Sequence, residues 1–160
     1  MDPILEILEK DGRLTPDEIA KMTKRPVPEV KKAIQKYEKD GVILRYKTVL
    51  NKERLENANR VQALIEVKVT PQRGVGFDAL AERIYKFSEV RSCYLLSGGY
   101  DLLVIVEGKD LQTVASFVSE KLSTLENVRG TVTHFLLKKY KEDGDILQKA
   151  DQDQRMAISF

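Results

Sequence analysis

The apolar residues of this chain recur at helical spacing over its first forty positions and at every second position from residue 61, so no single kind of layer accommodates the whole chain. Ile4, Leu5, Ile7 and Leu8 predict a short amphipathic helix ended by Asp11-Gly12. Val61, Ala63, Ile65, Val67 and Val69 alternate with Gln62, Leu64, Glu66 and Lys68, which predicts a half-buried strand.

Past that strand, helical and extended patterns follow one another. Residues 71–76 read as a loop, and Phe77, Leu80, Ala81, Ile84 and Phe87 form a helical stripe. A second strand is expected over 90–96, a turn at Ser97-Gly98-Gly99, and a third strand over 102–106. Leu111, Val114, Ala115, Val118 and Leu122 line another helix, and residues 128–137 form the last strand. The order β-α-β-β-α-β is the ferredoxin-like arrangement, with two helices over one face of an antiparallel sheet. The other face is expected to carry Leu64, Tyr94, Leu96, Leu103, Ile105, Thr131, Thr133 and Phe135. That is more apolar than a solvated face, which predicts a homodimer that buries it.

In the first third, Thr15-Pro16-Asp17-Glu18 marks a second helix. Thr15 caps, Pro16 takes the first position and Glu18 closes the capping box. Ile19, Ala20 and Met22 are expected to face the core. Pro26 and Pro28 cannot both lie deep in a helix, so they place a turn, with a third helix from Val27 or Pro28 to Lys39. Val30, Ala33, Ile34 and Tyr37 form its buried stripe. Asp40-Gly41 ends it, and residues 42–50 read as an extended ribbon. The fold class is therefore α+β: an N-terminal winged helix-turn-helix over 1–43, a β wing and linker over 44–60, a ferredoxin-like domain over 61–141 and a tail over 142–160.

From Lys21 to Lys47 there are nine basic and three acidic residues, a net +6 in a chain of 160 residues whose formal charge is +2. A basic segment beside a near-neutral remainder suits double-stranded DNA. Lys31, Lys32, Gln35 and Lys36 project from the third helix, the one that enters the major groove in such units. Lysine reaches phosphates or guanine edges, whereas Gln35 has the chemistry to read adenine. Lys24 and Arg25 precede the helix, and Arg45 and Lys47 lie in the wing. The competing reading, lysines that only solvate an ordinary helix, is disfavoured by the short second helix, tight turn and trailing strand.

Other functions find less support. No nucleophile-base-orienter set, phosphate loop or metal cluster is present, so neither catalysis nor a cofactor is expected. His134 is the lone histidine and Cys93 the lone cysteine; Cys93 reads as a small buried hydrophobe, with a redox role the lesser alternative. No run of 18 apolar residues and no basic-then-apolar leader occur, so the expectation is a cytoplasmic protein without a membrane partner. Gly98-Gly99-Tyr100-Asp101 has two readings. Exposed amides and Asp101 would suit a ligand carboxylate and ammonium; alternatively the stretch is a tight hairpin whose Asp101 bonds its own turn.

With both domains placed, the chain resembles the Lrp/AsnC family of transcriptional regulators. The resemblance lies in Ile7-Leu8-Glu9-Lys10-Asp11-Gly12-Arg13, Glu18-Ile19-Ala20, Val30-Lys31-Lys32-Ala33-Ile34, Glu38-Lys39-Asp40-Gly41-Val42-Ile43 and Gly98-Gly99-Tyr100-Asp101, in that order. It implies a DNA-binding dimer that often assembles into octamers. It also implies a C-terminal domain that senses a small effector, usually an amino acid, with residues 98–101 as the responding motif. Pro26 stands where the family usually has serine, Lys24 where glycine is common, and Ala33 where arginine is common. These departures imply altered turn geometry and operator preference, or at the extreme a ligand-sensing oligomer that no longer reads DNA. Residues 145–160 look like an addition, either a free terminus or, through residues 155–160, an edge strand.

Overall fold

The computed structural model describes residues 1–55, 60–70 and 76–147, and divides the chain into two compact units, Met1–Leu50 and Asn51–Phe160. The expected loop at 71–75 and the tail residues 148–160 lie outside the described residues.

The first unit is trihelical: α1 (Pro3–Lys10), α2 (Pro16–Thr23) and α3 (Val27–Lys39). Asp2 caps α1 through a bond from the Ile4 N–H, with Pro3 in the first turn. At α2 the expected capping box is present. Thr15 Oγ1 accepts from the Glu18 N–H at 3.3 Å, while Glu18 Oε2 accepts from the Thr15 N–H at 2.7 Å. Ile4, Ile19, Ala20 and Val30 are buried together, flanked by Ile7, Leu8, Leu14, Val27, Ala33 and Ile34. Met22, expected in this core, is exposed, because the buried face of α2 closes with Ile19 and Ala20.

The second unit is a four-stranded antiparallel sheet with helices on one side. Its elements are β1 (Val61–Val69), α4 (Asp78–Tyr85), β2 (Val90–Leu95), β3 (Leu102–Gly108), α5 (Leu111–Ser116), a π-helical segment (Phe117–Leu122) and β4 (Val128–Phe135). The spatial order β2-β3-β1-β4 is that of the ferredoxin-like fold. Ala63, Ile65 and Val67 of β1 and Leu102, Val104 and Val106 of β3 meet Leu80, Ile84, Val114, Phe117 and Leu122 in one core. Each of the valine, leucine, isoleucine and phenylalanine side chains contributes roughly 1.5–3 kcal/mol of burial.

Cys93 is half-buried against this core, and burial pushes its thiol pKa up, as suits an inert packing group. The helix after β3 departs from the sequence pattern. Phe117, outside the expected stripe, is buried, and Ala115 is exposed; from Phe117 on, the wider π turns space the buried residues five apart, Phe117 to Leu122.

The registers correct the expected composition of the open sheet face. Thr131, Thr133 and Phe135 pair with Val67, Ile65 and Ala63, so they lie on the helix-covered side. The β4 residues facing away are Val132 and His134, beside Leu64, Glu66, Leu103, Ile105 and Tyr94. His134 Nε2 lies 3.0 Å from Glu66 Oε1 on this face. Tyr94 and Val132 are about half exposed there, at 49% and 53%.

Two features join the segment before β1 to the sheet. Lys52, in a 3-10 turn (Lys52–Arg54), and Arg60 and Arg91 converge on the Glu107 carboxylate, at 3.3, 3.2 and 3.6 Å. Asn51 Nδ2 donates to the Leu147 carbonyl at 2.7 Å. Leu147 follows a hairpin, β5 (Lys141–Glu142) and β6 (Asp145–Ile146), through which the expected 141/142 boundary runs. Asp143 and Gly144 form its two-residue turn with φ of 48° and 93°, the all-positive pair that Asp-Gly favours.

Candidate nucleic-acid interface

The approach to α3 begins with strain. Lys24 closes α2 in the left-handed region, at φ 54° and ψ 34°, where its N–H bonds the Ala20 carbonyl. Glycine takes this conformation without a Cβ penalty, and lysine does not. Pro26 is the N-cap of α3 and supplies no side-chain bond to the first turn; the Glu29 and Val30 amides turn back to its carbonyl at 3.0 and 3.2 Å. The family serine's hydroxyl therefore has no substitute at this position.

Val30 is fully buried, and Ala33, Ile34 and Tyr37 are partly buried on the same side of α3. At about 100° per residue, Lys31, Gln35, Lys32 and Lys36 occupy an arc of roughly 140° on the opposite side. All four are exposed, and among the described residues no ion pair engages the three lysines. This is an accessible cationic face with one amide-bearing side chain among its charges.

The remaining expected contacts are placed differently. Lys24, Arg45 and Lys47 are exposed. Arg25 is half-buried, and its Nη1 lies 3.4 Å from the Asp2 carboxylate. That carboxylate also accepts from the Tyr37 hydroxyl at 2.7 Å and from the Ile4 N–H at 3.0 Å. These bonds, led by the backbone one, hold the Asp2 pKa below the ordinary carboxylate range, while Asp2 raises that of Tyr37.

Among the described residues no β ladder involves 44–50, so within one chain the stretch expected as wing and linker has no strand partner. Tyr46 attaches the segment instead. Its hydroxyl donates to Glu38 at 3.0 Å, and its ring lies so near Gly12 that an added Cβ would sit 3.2 Å from it.

In the sheet unit, residues 98–101 connect β2 to β3. The Asp101 side chain does not bond its own turn; only its backbone carbonyl does, accepting from the Leu96 N–H at 2.9 Å. Its Oδ2 accepts from the Val69 N–H at 2.8 Å and its N–H donates to the Val67 carbonyl, tying the loop to the end of β1. Gly98 and Gly99 are exposed, neither has positive φ, and a Cβ on either meets nothing within 4 Å. The expected need for glycine conformations therefore does not arise within one chain. A cleft of about 460 Å³ in this unit lies against α5 between Glu89, Lys109 and Lys121 and does not include the loop.

Sequence reasoning passed over Asp2, Tyr37 as a hydrogen-bond donor, Tyr46 and the hairpin. Asp2-Pro3 before an apolar stripe is a cap signal, and Asp143-Gly144 is a turn signal, so two of these were legible. The partners of Tyr37 and Tyr46 are set by tertiary packing and carry no local signature.

Comparison with known proteins matches this geometry. Residues 4–43 match a winged helix-turn-helix DNA-binding family, and residues 62–146 match the Lrp/AsnC ligand binding domain, hairpin included. The chain is 51% identical to the HTH-type transcriptional regulator YugG of Bacillus subtilis, over 98% of this chain and 94% of that protein. It is 26% identical to the leucine-responsive regulatory protein of Escherichia coli, over 91% and 88%. A transcriptional regulator of Neisseria meningitidis solved as a complex with L-methionine superposes with a TM-score of 0.70 at 26% identity, covering 88% of this chain and 89% of that one.

Proposed function

The chain belongs to the Lrp/AsnC family of helix-turn-helix transcriptional regulators, and from that premise we propose which of its surfaces read DNA and which take an effector. Lys31, Lys32 and Lys36 bind phosphates or guanine edges, Gln35 contacts an adenine edge, and Lys24, Arg45 and Lys47 add backbone contacts. The observation that carries this reading is the unpaired cationic arc of α3 opposite buried Val30. Arg25 is left out because its guanidinium is engaged by Asp2.

The sheet unit is the effector and assembly domain. Its open face, with Leu64, Leu103, Ile105 and Val132, pairs with a second copy, and such dimers associate further, to an octamer in the family pattern. The effector is an amino acid held at Gly98, Gly99, Tyr100 and Asp101 where another chain completes the site. Two adjacent glycines that no intrachain conformation or packing requires leave room for such an approach. The methionine bound by the Neisseria relative supports this effector class.

The test is a titration of full-length protein on DNA fragments, with and without pooled amino acids, across salt. Affinity falling steeply with salt is expected, and Lys31→Glu with Lys32→Glu weakens it while the dimer persists. Salt-insensitive binding, or none, overturns the DNA reading in favour of a ligand-sensing oligomer.

A further inference from the structure

The second residue of the chain holds both ends of the third helix. Arg25 lies two residues before α3, and Tyr37 is the third residue from its C-terminal end. Both reach the Asp2 carboxylate, at 3.4 and 2.7 Å. The Asp2 side chain is only 22% exposed, and its third bond, from the Ile4 N–H, anchors it to the start of α1. Its charge has the wrong sign for a unit that meets a polyanion. On Coulomb grounds alone, an acid packed against a groove-reading helix weakens binding. It also takes Arg25 away from the phosphates.

We infer that Asp2 is a positioning residue for DNA reading: its carboxylate fixes the orientation of α3 on α1 through Arg25 and Tyr37, and this orientation sets sequence discrimination. The inference rests on the reading of α3 as the DNA helix. Base-edge bonds need donors placed within a few tenths of an ångström, whereas attraction to phosphates tolerates displacement. Loosening the tie therefore affects specific binding more than non-specific binding.

Two substitutions break the tie and leave the local structure in place. Asp2→Asn keeps an oxygen for the Ile4 N–H but loses the charge that holds Arg25. Tyr37→Phe keeps the ring and loses only the hydroxyl. Each is compared with the wild-type full chain on a duplex that the wild type selects from a random-sequence pool, and on a scrambled duplex of equal length and composition. Helix content is matched by circular dichroism.

Both variants are expected to bind the selected duplex about three- to tenfold more weakly, the range for one hydrogen bond. Binding of the scrambled duplex stays the same or, for Asp2→Asn, strengthens. The double variant is expected to be no worse than Asp2→Asn alone, because the two changes remove one shared contact. Full discrimination in both single variants, or equal strengthening on both duplexes, overturns the inference. A wild type that selects no duplex overturns instead the reading of α3 on which it rests.

Discussion

Asp101 Oδ2 accepts a 2.8 Å hydrogen bond from the backbone N–H of Val69, so a side chain in the loop before β3 completes the pairing of β1 where its ladder to β4 becomes irregular between Lys68 and Val69. An acidic residue expected to meet a ligand thus has a structural duty inside its own chain. Asp101→Ala leaves that amide without its partner in a half-buried place. A loss of about 1–2 kcal/mol is expected for the sheet unit. Asp101→Asn, which keeps an accepting oxygen, should lose less. Hydrogen exchange of the β1 amides measures both.

The adjacent glycines predict the reverse pattern. Gly98→Ala and Gly99→Ala add a methyl into open space at ordinary φ, so unfolding should move by no more than about 0.5 kcal/mol. Self-association or its response to amino acids should change, read by sedimentation velocity. Unchanged assembly and response in both variants would remove residues 98 and 99 from the effector site.

Lys24 occupies a left-handed position, which costs an ordinary side chain about 1 kcal/mol or somewhat more. Lys24→Gly should therefore stabilise the trihelical unit by up to about 1 kcal/mol, offset in part by the greater freedom of glycine in the unfolded chain. Lys24→Ala removes the same charge and keeps the strain, so it should leave stability nearly unchanged. Amide protection in α2 and α3 is the suitable probe in a two-unit chain, where a single unfolding midpoint mixes both.

Acid should release the Asp2 tie. The Ile4 N–H first, then the Tyr37 hydroxyl and the Arg25 charge, favour ionised Asp2 in the folded state, so its folded pKa lies below its unfolded one. The stability it contributes is complete above the unfolded value, near pH 4, and is lost as pH falls through the lower folded value. The difference in α1 and α3 amide protection between wild type and Asp2→Asn should accordingly be constant from pH 7 to about 5 and shrink below about 4. A difference that does not shrink at all as pH falls below about 4 would exclude the carboxylate as its source.

Much of this fold was legible because its signals are local. The capping box at Thr15 and Glu18, the break at Pro26 and Pro28, and the alternation along β1 each act within a few residues. The face of β4 was not legible. Val132 and His134 on one side and Thr131, Thr133 and Phe135 on the other both mix polar with apolar groups, so period two fixes no phase on this edge strand, and pairing with β1 decides it. Arg25 shows the same limit at the candidate site. Its ion-pair partner, Asp2, lies 23 residues away in sequence, so no local signal announces the pair. The exposure of Lys31, Lys32, Gln35 and Lys36, by contrast, follows from helical periodicity alone.

Tyr46 has a consequence for the length of the leash between the two units. Its ring against Gly12 and its hydroxyl on Glu38 bind the chain to the trihelical unit as far as residue 46, while Asn51 and Lys52 are fastened to Leu147 and Glu107 of the sheet unit. Tyr46 and Asn51 are five Cα steps apart, so the chain between them spans at most about 18 Å. A tether of that length limits how far a DNA-reading unit can reach. Duplexes with two half-sites should therefore bind over a narrow range of spacings, and inserting a few glycines after Lys47 should widen that range and lower the best affinity.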